Sequence, residues 1–191
     1  MVAEGEHVKG EQGVLFVKHW LESTTYVQIS FSVYDDPAQT TVERLDRKHK
    51  RFDLVGSFLG DHRRPLYVEV KNYDHVGSQP AEFKEFLANA YSVTALGVKS
   101  NVDKKLEFMW VTTHPFDQTK WSKLTTELEI RAALNVHKDA LAGEEIDDSI
   151  VRLVADRLWL VMLNRRQSVF LLSPEELYKV HGVLRRKGSF G

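Results

Sequence analysis

There is no cysteine among the 191 residues. That single absence removes disulfides, thiolate zinc sites and thiol nucleophiles together, and it accords with a reducing cytoplasm, the expected location. Also absent is any apolar run long enough to cross a bilayer, so no membrane partner is expected. The opening residues MVAEGEHVKGEQG are polar and mixed in charge, unlike a signal peptide. Neither sign of charge dominates, since 26 Lys and Arg stand against 27 Asp and Glu, for a net charge of −1. The strongly basic balance of a protein that coats nucleic acid is therefore missing. The 8 histidines form no HExxH pair. No Ser/His/Asp motif, phosphate-binding glycine loop, internal repeat, low-complexity tract or linker is found.

What is present is ordinary globular material, 42% hydrophobic and 28% charged. The length predicts a single domain over residues 1–191 with a sizeable core. Val14, Val17 and Leu21, with Phe16 and Trp20, recur at helical spacing and predict a helix over roughly 6–22. Val27, Ile29, Phe31 and Val33 then alternate with polar residues and predict a half-buried strand. Asp35-Asp36-Pro37 breaks that pattern, and residues 34–50 read as a long, mobile excursion. A hairpin follows, with strands at roughly 52–58 and 66–72 and a turn-rich connection, Gly60 to Pro65, centred near His62. A helix over 80–98 opens with Pro80 and Glu82 and buries Phe83, Phe86, Leu87, Ala90 and Thr94. Leu106 to Thr112 is a strand. Beyond it, helices are expected at roughly 120–141 and 147–157. A strand pair follows at 158–163 and 168–172, turned by residues 164–167. The last helix is opened by Ser173, Pro174 and Glu176 and runs to about residue 186.

The hairpin carries the chemistry. Asp53 opens its first strand, and Glu69 and Lys71 close its second. Residues two apart on a strand share a face, and folding the strands back sets Asp53 opposite Glu69 or Lys71. Two acids beside one amine make a seat for a divalent cation and the water it activates. Without a cation, facing acids repel across a strand pair. Glu-x-Lys alone also fits a solvent-facing pair on an ordinary strand. Here the intervening Leu66, Val68 and Val70 are apolar, and the aspartate lies where hairpin register requires it.

In element order and in these residues, the chain resembles the restriction-endonuclease-like superfamily, the PD-(D/E)XK nucleases, over roughly residues 5–115. The resemblance implies an α/β (α+β) fold: a mixed central sheet flanked by helices, an αβββαβ core of about 5–115, and a helical and β-hairpin extension over about 117–191. It implies Mg²⁺ (or Mn²⁺) held by Asp53, Glu69 and the Val70 carbonyl, with Lys71 catalytic and Glu11 on the first helix as a fourth member. Glu4, Glu6 and Glu22 are rivals to Glu11. Phe52 rather than proline precedes Asp53. Gln79 is followed four residues later by Phe83, where one large branch of the superfamily has tyrosine. Gln79 itself either contacts phosphate or simply starts its helix.

The expected function is a metal-dependent nuclease, with DNA as the nucleic acid. Arg47, Lys48, Lys50, Arg51, Arg63 and Arg64, flanking the hairpin, are its expected contacts. Arg165-Arg166 and residues 185–187 add further basic patches, each of which also reads as a solvated loop or helix end. A second copy, or a partner subunit of a larger system, is a further expectation. Two alternatives stand beside the enzyme: a module on the same fold that binds nucleic acid or protein without cutting, and a globular domain of unrelated role.

Overall fold

The computed structural model describes residues 2–60 and 63–184, with side chains from residue 8 onward. The expected turn centre at His62, the side chains of Glu4 and Glu6, and the basic patch at 185–187 lie outside the described residues.

The sheet is laid down by the predicted alternations. Helix α1 (Val2–Thr24) leads into β1 (Val27–Ser32). A short ribbon follows, β2 (Thr41–Glu43) and β3 (His49–Arg51). The hairpin is β4 (Leu54–Phe58) and β5 (Pro65–Lys71). Then come α2 (Gln79–Lys99), β6 (Glu107–Thr112), α3 (Glu127–Val136), α4 (Asp148–Ala155), β7 (Leu158–Met162) and α5 (Pro174–Leu184). The main sheet runs β1-β4-β5-β6-β7. Its β1–β4–β5 half is antiparallel, and β5–β6–β7 is parallel. Parallel neighbours need crossovers, supplied by α2 and by the α3–α4 segment. Among the described residues, no helix is long and apolar enough to cross a membrane.

Strand β5 divides the molecule. Leu66 and Val68 face a core built with Val14, Val17 and Leu21 of α1. Tyr67 packs on the opposite core, where Phe83, Phe86 and Leu87 of α2 meet Phe52, Phe108 and Trp110. Each of these fully buried large apolar side chains is worth ~1.5–3 kcal/mol by removal from water. The Phe83 and Trp110 rings meet edge-on with centroids 5.2 Å apart, a favoured aromatic geometry. Two-residue periodicity then fixes the next positions of β5: Glu69 and Lys71 continue the α2-facing row.

Several expectations need correction. Residues 34–50 are not a loose excursion, because they contain the β2–β3 ribbon. Val42 and Leu45 anchor that ribbon on the α2-side core, and Phe52 N–H donates to the Thr40 carbonyl at 3.0 Å. The alternation along β1 is interrupted by a register shift between Ile29 and Phe31. Beyond it Phe31 is exposed and Ser32 is buried, the usual effect of a bulge. The single helix expected over 120–141 is α3 flanked by 3₁₀ turns at Gln118–Lys123 and Lys138–Leu141. The expected C-terminal hairpin does not form. Asn164 accepts from the Arg166 N–H, the Gln167 side chain accepts from the Asn164 N–H, and together they start a 3₁₀ turn over Arg165–Phe170. That capping replaces the hairpin turn. β7 instead joins β6 in parallel, so residues beyond 115 complete the sheet.

Candidate functional site

Register brings the two acids together. Leu54 pairs with Val68 across β4 and β5, and one residue further along this antiparallel register sets Asp53 against Glu69. The Val70 N–H donates to Asp53 Oδ2 at 2.7 Å, while the Asp53 backbone is held by Val68 and Val33. Asp53 is therefore fixed by strands on both sides. Burial, followed by the Glu69 charge, drives its carboxyl up to about 6, against the pull of the Val70 hydrogen bond, Lys71 and Lys50.

Glu69, only 8% exposed, is bracketed by lysines. Lys71 Nζ stands 3.1 Å from Oε1, and Lys50 Nζ stands 2.9 Å from Oε2. The Lys50 approach lacks hydrogen-bond direction, and Oε2 is a buried acceptor with no donor in line. Lys50 comes from β3, whose central residue it is. It turns inward opposite Val42 and passes over the Phe52 ring at 5.2 Å, a cation–π distance.

Lys71 is held from a second direction. Glu82, in the first turn of α2, pairs with Lys71 Nζ at 2.8 Å. It also accepts from the Tyr73 hydroxyl at 3.0 Å and from the Ser78 hydroxyl. Burial disfavours the Lys71 ammonium, but Glu69 and Glu82 outweigh it and push its pKa above the ordinary lysine range. The Glu82 carboxyl, though partly desolvated, is held low by Lys71, Ser78 and Tyr73. Lys71 also lies 5.3 Å above the Trp110 ring. It is a permanent cation and hydrogen-bond donor near neutrality, not a base.

Glu11 lies on the α1 side of the same end of the sheet. The Tyr34 phenol is raised by burial first, then by the charges of Asp53 and Glu11, so one hydroxyl senses both acids. A Cβ on Gly10 would lie 3.0 Å from that hydroxyl, which shows how closely α1 approaches it. Glu22 is turned away, accepting from the Ile29 N–H at 3.0 Å. Among the described residues no three His, Asp or Glu side chains converge as a metal cluster. Asp53 and Glu69 are a pair, and Mg²⁺ characteristically takes one or two carboxylates and keeps its waters.

The other expected residues are dispersed. Gln79 is fully buried, accepting from the Thr112 hydroxyl at 2.6 Å and donating to the His114 carbonyl at 3.2 Å. It ties the start of α2 to the end of β6. Arg47 pairs with Glu43, and Lys48 with Asp46 and Asp139, around the β2–β3 turn. Arg51 is exposed. Arg63 and Arg64 lie at the far end of the hairpin, five residues or ~17 Å along β5 from Glu69, and Arg64 neutralises the buried Glu107 at 2.7 Å. Of the six expected basic contacts, only Lys50 reaches the acids. Glu82 was legible merely as a favourable first-turn residue.

No protein-family model matches the chain, and no curated protein matches it. Among solved structures it is similar to the Acinetobacter baumannii Cap4 SAVED/CARF-domain-containing receptor, alone and with the cyclic trinucleotides 3'3'3'-cAAA and 2'3'3'-cAAA. The identities are 14–15% and the TM-scores 0.34, over 93% of this chain. The chain spans only 40–42% of the receptor's length. Likeness of this degree carries no argument about function.

Proposed function

We propose that this protein is a divalent-metal-dependent phosphodiesterase that cleaves nucleic acid, with DNA as its substrate. One observation carries the reading: register sets Asp53 against Glu69, and Lys71 stands 3.1 Å from the second acid. Two features favour a cation at this pair. Asp53 is driven towards neutrality by burial and by Glu69, and Glu69 Oε2 is a buried acceptor with no aligned donor. The Asp53 and Glu69 carboxylates and the Val70 carbonyl are the groups to hold it. Bound there, a divalent ion would supply charge neutralisation and a lowered water pKa. The chain's own contribution is electrostatic. Lys71, locked by Glu82, keeps its charge and presents N–H donors to oxygens that gain negative charge during hydrolysis. Lys50 adds a second ammonium on the opposite side of Glu69.

The test is cleavage of labelled oligonucleotides and plasmid with Mg²⁺ or Mn²⁺ by wild type and by Asp53→Asn, Glu69→Gln and Lys71→Ala. The reading fails if folded variants cut as well as wild type.

A second reading has its own support. Both Glu69 oxygens already face lysines, so a charge-compensated site fits a module that binds without cutting. That reading expects no cleavage with any divalent ion and no Asp53-dependent Mn²⁺ binding by calorimetry. Its affinity for nucleic acid would fall steeply with salt.

A further inference from the structure

The two lysines at Glu69 are not held alike. Lys71 sits on Oε1 and is gripped by Glu82 as well. Lys50 sits on Oε2 at 2.9 Å, its one ion pair among the described residues, and no hydrogen bond aligns the two groups. Oε2 is closed to solvent while Lys50 stands on it. It is also the Glu69 oxygen left without a donor, the one with lone pairs to offer a metal. A cation can take it only by displacing Lys50, the more loosely held of the two ammonium groups.

Ribbon geometry puts Lys50 there. In His49-Lys50-Arg51, strand alternation turns the middle residue inward while its neighbours stay exposed. The ribbon backbone is tied down. The Arg44 N–H donates to the Lys48 carbonyl at 2.8 Å, and the Leu45 N–H donates to the Ser92 hydroxyl at 3.0 Å. Movement is therefore left to the side chain, whose four-carbon stem is flexible. There is room for it. Lys50 lines a half-open cavity of about 340 Å³ together with Glu69, Lys71, Glu82 and Glu85. An ammonium group needs little more than one water's share of volume, ~30 Å³. The carboxylates of that lining favour a cation that swings among them.

We infer that Lys50 is a built-in stand-in for the divalent cation: its ammonium occupies the Glu69 oxygen that the metal takes, and metal entry turns it out into the cavity. This rests on the metal-dependent reading above and names the residue that regulates metal entry. Facing acids destabilise a strand pair, and the Lys50 charge offsets that repulsion while no metal is bound. A divalent ion brings twice the charge to the same oxygens and prevails by Coulomb attraction. It must first outcompete the ammonium, so Lys50 weakens metal binding. Once released, Lys50 stays within a side chain's length of Glu69, because its backbone is fixed. The site thus keeps its second ammonium for the substrate phosphate.

Two measurements test the stand-in. First, Mn²⁺ is titrated by calorimetry into chelator-stripped wild type and Lys50→Met. Methionine keeps a long, unbranched stem over the Phe52 ring and removes the charge. The variant is expected to bind Mn²⁺ at least tenfold more tightly. Second, wild type is treated with an amine-acylating reagent, with and without saturating Mg²⁺, and labelling of Lys50 is read by peptide mass spectrometry. This arm needs no variant that might fail to fold, and it separates displacement from the mere loss of a nearby charge. Lys48, exposed on the same ribbon, is the internal reference. Mg²⁺ is expected to speed Lys50 labelling at least fivefold relative to Lys48, and Asp53→Asn to abolish that response. Unchanged or weaker Mn²⁺ affinity in Lys50→Met, or Lys50 labelling that Mg²⁺ does not speed, overturns the stand-in and leaves the metal-dependent reading in place. Absence of Mn²⁺ binding by both proteins overturns that reading, and the stand-in with it.

Discussion

The Val70 N–H donates to the Asp53 carboxylate at 2.7 Å, so the strand that bears the second acid also holds the first. This hydrogen bond favours the charged form, yet burial and Glu69 prevail, and the folded carboxyl titrates at about 6 rather than 3.8. The sign follows directly. Between those two pH values the folded chain holds a proton that the unfolded chain releases, so stability falls as pH rises through the window. The cation-free protein is expected to lose up to about 3 kcal/mol from this group between pH 3.8 and about 6. Urea unfolding in chelator at pH 4 and pH 7 brackets the window, and Asp53→Asn should flatten the difference. A wild type equally stable at both pH values as its Asn variant would contradict the electrostatics described.

Lys71 is expected to act through its charge alone. Glu69 and Glu82 hold it protonated well past neutrality, so no alkaline limb below pH 9 should be attributable to it in the pH–rate profile. Lys71→Ala should reduce kcat by ~10²–10³, the scale for removing one charge-stabilising donor. Glu82→Gln should lower the Lys71 pKa, since only Glu69 then holds the ammonium, and so move the alkaline limb to lower pH than in wild type. A profile unchanged by Glu82→Gln would count against the Lys71–Glu82 coupling.

Gln79 is expected to matter for stability and not for metal. Its buried amide joins Thr112 and the His114 carbonyl, and Gln79→Ala removes both hydrogen bonds, leaving the Thr112 hydroxyl and the His114 carbonyl only each other. The cost is ~1–3 kcal/mol, read as a lower urea midpoint. Mn²⁺ affinity, measured by calorimetry on the folded variant, should be unchanged. A tenfold drop in affinity would return Gln79 to the metal site.

Gly56 is a position where no side chain fits. A Cβ there would lie 2.1 Å from the Gln28 carbonyl oxygen and 2.8 Å from the Ile29 Cα. Both are backbone atoms of the adjacent strand and have no rotamer to move. Gly56→Ala is expected to cost at least the ~1–3 kcal/mol of ordinary overpacking, because β1 must separate from β4. A wild-type melting temperature for this variant would refute that contact.

Much of this architecture was legible in the residues. The period-two run from Leu66 to Val70 placed β5, and its spacing alone put Glu69 and Lys71 on one face. The facing position of Asp53 followed from hairpin register. The contributions of Lys50 and Glu82 were not legible, because each reaches the site through tertiary packing that no local pattern encodes. Lys50 sits in a three-residue strand, too short for alternation to show. Asn89 interrupts the apolar face of α2 and looks like a polar lapse until its hydrogen bond from Arg44 is seen. The C-terminal misreading has a local cause. Val169 and Phe170 suggested a strand, but the Asn164–Gln167 cap begins a helical turn before one can form, and both side chains end up exposed.

Strand β5 has neighbours on both flanks, β4 and β6. Its peptide groups cannot fray independently of the rest of the sheet, since inner strands open only when the surrounding structure does. Heating should therefore abolish the proposed cleavage and melt the domain at one temperature, with no inactive but still folded species in between.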